Sequence, residues 1–126
     1  MFKLMAVDDD KYILATMQRS LRHLKNFQVD TFNDPQAAIE HARNTRYDIF
    51  LSDYMMPGLD GISFLSKIKS LQPDSIRIIL SGKDDKDTVI KATNAAGLFR
   101  FISKPVKRDD LIETINQALK TMNQSV

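Results

Sequence analysis

Ile49-Phe50-Leu51-Ser52-Asp53-Tyr54-Met55-Met56-Pro57-Gly58-Leu59-Asp60-Gly61 changes character twice within a short span. Ile49 to Leu51 is an apolar run that ends on an acid, Asp53. Met56 to Gly61 carries the proline and glycines of a loop. Ile62, Leu65, Ile68 and Leu71 then recur at helical spacing. The stretch reads as strand, loop and helix, with a carboxylate where the strand stops.

The same alternation extends in both directions. Leu4-Met5-Ala6-Val7 is another apolar run, ended by Asp8-Asp9-Asp10, and Tyr12, Ile13, Leu14, Met17, Leu21 and Leu24 follow at helical spacing. Phe27 to Phe32 alternates apolar and polar residues, as a half-buried strand does. Asn33-Asp34-Pro35 starts a helix, a capping side chain preceding a proline in the first turn. On the far side, Ile76-Arg77-Ile78-Ile79-Leu80 is a β-branched run closed by Ser81-Gly82. The acidic stretch Asp84 to Asp87 opens a helix through Val89, Ile90 and Ala92 that Gly97 stops. Phe99 to Ile102 is the fifth strand, ended by Ser103-Lys104-Pro105, and Asp109 or Asp110 starts a last helix carrying Leu111, Ile112, Ile115, Leu119 and Met122.

Five strands thus alternate with five helices, with no linker or repeat between them. Connections this short require parallel strands joined by right-handed crossovers. The three most apolar strands belong in the centre, because a parallel sheet is covered on both faces. The expectation is a doubly wound α/β fold forming one domain over residues 1–126, a length that buries roughly two thirds of the unfolded surface. Ligands of such sheets bind beyond the carboxyl ends of the strands, near the switch in strand order.

Composition narrows the chemistry. Eighteen Lys and Arg face sixteen Asp and Glu, and there is no cysteine, so disulfides, thiol catalysis and thiolate metal sites are excluded. His23 and His41 lie in polar helical stretches without a partner at zinc spacing. No apolar run approaches a membrane span, and the opening MFKLMAVDDD is too short and too soon acidic for a signal peptide, so a cytoplasmic protein is expected. Basic residues are scattered rather than striped, which argues against direct nucleic-acid binding. Fourteen of the sixteen acids are Asp. That residue prefers caps, turns and sites where a carboxylate is held close to the backbone.

Under the carboxyl-edge rule, the polar residues ending the strands become neighbours: Asp8 and Asp9, Asp53, Ser81 and Lys104. Each has an ordinary reading alone, as a helix cap, a turn, a strand exit or a surface lysine. Together they form one crevice. Two unit charges about 5 Å apart at an effective dielectric of 20 repel by roughly 3 kcal/mol, so three ionised carboxylates need a cation or must share protons. All-oxygen ligands with room for water favour Mg²⁺ over Ca²⁺. A carboxylate beside such an ion, a lysine and a hydroxyl is arranged to accept a phosphoryl group.

The chain resembles the response-regulator receiver domains of two-component signalling, the chemotaxis receivers among them, over essentially its whole length. The residues that carry the resemblance are Val7 to Asp10, Asp53 to Gly61, Ser81-Gly82 and Phe101 to Pro105. It implies a flavodoxin-like strand order 2-1-3-4-5 and a phosphorylation-dependent switch rather than an enzyme. Asp53 would accept the phosphoryl group from a sensor histidine kinase or phosphotransfer protein. Asp8, Asp9, Asp53 and the backbone carbonyl of Met55 would hold Mg²⁺, with Mn²⁺ as a substitute. Lys104, before a proline bond commonly cis in the family, would bind the phosphoryl oxygens. Ser81 would move to hydrogen-bond them, and Phe101 would swing inward behind it. The face of the fourth helix, fifth strand and last helix would then change for an output partner or domain, with a phosphorylation-dependent dimer left open. Whether the regulator stands alone or continues beyond Val126 is also open.

Three departures are informative. Phe101 replaces a frequent tyrosine, Ser81 stands where threonine is equally common, and Ala96 to Arg100 differs from the usual Gly-Ala-x-x-Tyr. Met55 and Lys83 would flank the acyl phosphate. Two rivals remain: a haloacid-dehalogenase-like phosphatase, superficially matched by Asp8-x-Asp10, and a receiver-like module that binds without phosphorylation. Setting the three site acids aside leaves thirteen acids against eighteen bases, so the shell is distinctly basic and suits an acidic partner.

Overall fold

In the computed structural model, which describes residues 1–82, 85–91 and 93–124, the sheet is built from β1 (Phe2–Val7), β2 (Phe27–Phe32), β3 (Ile49–Asp53), β4 (Ile76–Ser81) and β5 (Leu98–Ser103). All neighbours pair in parallel, in the order β2-β1-β3-β4-β5. The helices are α1 (Lys11–Leu21), α2 (Pro35–Ala42), α3 (Gly61–Leu71), α4 (Lys86–Lys91), α5 (Thr93–Ala96) and α6 (Arg108–Gln124). The helix expected between the acids at 84–87 and Gly97 corresponds to α4 and α5. Lys83, Asp84 and Ala92, named from sequence, lie outside the described residues.

Period-two alternation in the three central strands divides the core. Leu4, Ala6, Ile49, Leu51, Ile78 and Leu80 face α1 and α6, meeting Leu14, Met17 and Ile115. Met5, Val7, Phe50 and Ile79 face the other way, onto Ala38, Phe64, Ile68 and Val89. Both faces being covered explains why these strands read as unbroken apolar runs. Tyr12 departs from its stripe: it is 86% exposed, on the outer side of the first turn of α1.

Asp side chains start the helices. Asp10 accepts the amides of Tyr12 and Ile13, Asp34 that of Gln36, and Asp60, read from sequence as a loop residue, that of Ser63. Asp87, Asp109 and Asp110 lie in the first turns of α4 and α6, although α6 begins one or two residues earlier than expected, at Arg108. The opposite ends of α1 to α4 are basic, with Arg19, His41, Lys69 and Lys91 in last turns and Arg22 and Arg43 at C-caps. The starts of α1, α2, α3, α4 and α6 face the carboxyl edge of the sheet, because each of these helices follows a strand and runs back against the sheet.

Candidate functional site

Three strand ends bring the acids and the lysine together. β1 delivers Asp8, whose amide donates to the carbonyl of Phe32 at 3.2 Å. β3 ends on Asp53, opposite Leu80 in the ladder, and the next amide, of Tyr54, donates to the Leu80 carbonyl. β4 ends on Ser81, opposite Ser103, and the Lys104 amide donates to the Ser81 carbonyl at 2.8 Å. Backbone ladders therefore set the spacing of the site. The Lys104-Pro105 peptide is cis.

Oxygen atoms of Asp8, Asp9 and Asp53 lie within 4.8 Å of one another. Asp8 and Asp53 are buried while Asp9 is exposed, so the cluster opens to water on one side. Lys104 Nζ sits 2.5 Å from Asp53 Oδ1. Asp8 Oδ1 accepts the amide of Asp10 at 2.9 Å, whereas Asp8 Oδ2 is buried with no hydrogen-bond partner among the described residues. Burial pushes the Asp8 carboxyl up to about 6. The Asp10 amide opposes that rise, the charge of Asp53 adds to it, Lys104 lowers it and Asp9 adds a smaller push.

An orphaned buried oxygen among three carboxylates is what a hard divalent cation would satisfy. The donor set fits Mg²⁺: few protein oxygens, one exposed side, and a charge excess that Lys104 alone does not balance.

Ser81 is buried and its Oγ donates to the Gly82 carbonyl at 3.2 Å. Phe101 is half-buried, packed against the cluster that contains Phe50, Phe64 and Ile79. The Met55 side chain is 64% exposed, in the loop two residues beyond Asp53.

Gly61 is a site residue that spacing alone does not reveal. A Cβ there would lie 2.2 Å from the Asp53 carbonyl oxygen, and the Gly61 amide donates to the Tyr54 carbonyl at 2.8 Å. The first turn of α3 is thereby pressed against the end of β3. The available signal was a glycine placed directly after a capping Asp. Asp10, by contrast, is occupied with its helix, so the Asp8-x-Asp10 arrangement of the phosphatase alternative is not realised.

Residues 4–116 match the model of the response regulator receiver domain family, and the chain belongs to that family. It is 32% identical to the hydrogenase transcriptional regulatory protein HoxA of Cupriavidus necator, over 92% of this chain and 24% of that protein. It is 30% identical to the transcriptional regulatory protein PrrA of Mycobacterium leprae, over 94% of this chain and 50% of that protein. The crystal structure of a response regulator receiver domain protein from Clostridium thermocellum aligns over the full length of both chains, with a TM-score of 0.87 and 29% identity. The chain therefore spans between about a quarter and a half of these curated relatives. As a receiver domain it is a phosphorylation-dependent signalling switch.

Proposed function

We propose that residues 1–126 form a single receiver domain that takes a phosphoryl group on Asp53. The observation that carries the reading is the buried Asp8–Asp53 pair, with Asp9 beside it and Lys104 in contact with Asp53. A carboxylate oxygen of Asp53 attacks the phosphorus of a donor phosphohistidine. The P–N bond breaks, its electron pair stays on the imidazole, and that nitrogen takes a proton from water. Asp8, Asp9, Asp53 and the Met55 carbonyl would hold Mg²⁺, which when bound neutralises charge on the transferring oxygens. Lys104 holds the same oxygens from the other side, and Ser81 leaves the Gly82 carbonyl to donate to one of them. The chain assists both this transfer and the later hydrolysis of the acyl phosphate, and catalyses no reaction on a separate substrate.

The donor must present its phosphohistidine at Asp53, so its docking surface must border the site. A groove of about 560 Å³ does so, running from Lys104 between α1 and the loop before α6, over Ile13, Met17, Pro105 and Val106, with Tyr12 at its rim. Its lining is mainly apolar, as a protein contact requires. The output face is α4, β5 and α6, where the Ser81 hydroxyl and the Phe101 ring change position, and it acts on an output partner or on a further domain of a longer protein. No helix among the described residues is long and apolar enough to cross a membrane, and the reading places the domain in the cytoplasm with its kinase.

The deciding experiment offers a small phosphodonor with Mg²⁺ to the wild type and to Asp53→Asn. Intact mass rises by one phosphate in the wild type only. An equal gain in the mutant, or none in either, sinks the assignment.

A further inference from the structure

Arg77 is the one buried charged residue in the central strands short of their carboxyl ends, and it is only 7% exposed. Among the described residues no carboxylate lies within ion-pair distance of it. Its partners are uncharged oxygens. Nε donates to the Ala96 carbonyl at 2.9 Å, and Nη1 to the Gln72 carbonyl at 3.2 Å and Ser75 Oγ at 2.9 Å. Ala96 is the last residue of α5, so the buried cation rests on a carbonyl where a helix end is electronegative. Lys69, in the last turn of α3, adds a second cation to the same end, its Nζ donating to the Asn94 carbonyl at 3.2 Å.

The segment that follows is shaped around these two side chains. Gly97 has a φ of +59°, and a Cβ there would lie 2.9 Å from Arg77 Nη2 and 3.2 Å from Lys69 Cδ. The β4–β5 ladder shifts register at the same level: Arg77 pairs with Leu98 but Ile78 pairs with Arg100. Irregular pairing, a left-handed glycine and two cations on carbonyls thus coincide at the end of α5. α5 also packs against α3. At α4 the anchoring differs: Val89 is buried, Ile90 is about half exposed, and among the described residues the side-chain bond to its backbone, from Thr93 Oγ1 to the Val89 carbonyl at 3.3 Å, comes from α5 and not from α3 or the sheet.

We infer that Arg77 and Lys69 form a clasp that fixes the far end of the output helix pair, so that the rearrangement following phosphorylation stops at α5. The inference rests on the phosphoswitch reading above and adds where its motion ends. The site-proximal part, from Ser81 through α4, changes arrangement when Ser81 turns to the phosphoryl group. Thr93 to Leu98 stay in place because moving them would take the Ala96 carbonyl from the Nε of a buried guanidinium, which a dry environment penalises. Arg77 and Lys69 are positioning residues here; neither touches the phosphoryl group.

Amide hydrogen exchange, read with and without a small phosphodonor and Mg²⁺, tests this. In the wild type, phosphorylation changes exchange in α4 by about fivefold or more, and in α5 and at Leu98 by less than about twofold. In Lys69→Ala, a substitution at the surface, and in Arg77→Lys, which keeps the charge but loses the fork, the change spreads into α5 at a size comparable to that in α4. Equal changes in α4 and α5 of the wild type overturn the inference. So does a wild-type pattern retained in both variants. Intact mass is recorded on the same samples: a wild type that gains no phosphate overturns the phosphoswitch reading itself, whereas a gain with uniform exchange overturns only the clasp.

Discussion

Asp8 is where the cost of the site is concentrated. Its carboxyl titrates near 6 rather than near the ordinary 3.8, so the folded chain keeps a proton there that the unfolded chain releases earlier. The stability tied to that proton is fully present below about pH 4 and is lost as pH rises through about 6. Without metal, Asp8→Asn should therefore be more stable than the wild type by about 3 kcal/mol at pH 8 and differ little at pH 4. Urea denaturation followed by circular dichroism at both pH values measures this. Added Mg²⁺ should stabilise the wild type at pH 8, less so at pH 5 where a proton competes for the same oxygen, and not the variant. Equal curves for the two proteins at pH 8 would refute the account of Asp8.

The residues of the site could be found from sequence because each ends a strand, and strand ends of a parallel sheet share an edge. Arg77 could not be read that way. Within Ile76-Arg77-Ile78 it looks like one polar position in an apolar run, and its acceptors, the carbonyls of Gln72 and Ala96, come from loop and helix ends that carry no sequence signature. Tyr12 misleads for the opposite reason. Helical spacing places it beside Ile13 and Leu14, but the start of α1 overhangs the sheet edge, and the ring stands in solvent.

Elements carry the second lesson. The apolar runs of the central strands and most of the Asp helix starts were legible, since the first follow from a sheet with two covered faces and the second from orphan amides at helix starts. The close approach of α3 to β3 was not, because it depends on a backbone oxygen. Gly61→Ala would drive a Cβ into the Asp53 carbonyl, and the expected cost is about 2 to 3 kcal/mol as the helix backs away. The displaced Asp53 should also phosphorylate more slowly from a small donor. Denaturation and a mass time course check both effects, and a variant matching the wild type in both would remove the packing argument.

For the whole molecule, the separation of docking groove from chemistry gives the clearest expectation. Tyr12 lies at the rim of the groove, 86% exposed, with no hydrogen bond from its side chain to the site among the described residues. Tyr12→Ala should leave the rate with a small phosphodonor unchanged within about twofold and slow transfer from a phosphorylated histidine protein by about tenfold, the loss of a well-placed aromatic anchor. Equal slowing with both donors would place Tyr12 in the chemistry instead, and no slowing with either would remove it from the interface.

The distribution of charge over the helix ends also revises the picture of an acidic pocket in an evenly basic shell. Acids gather at the starts of α1, α2, α3, α4 and α6, on the same edge as the site, and bases at the ends of α1 to α4, on the opposite edge. A six-residue strand separates the two edges by about 20 Å, more than twice the screening length of about 8 Å at physiological ionic strength. The domain therefore works as two electrically independent terminals. Charge added at one is largely screened at the other.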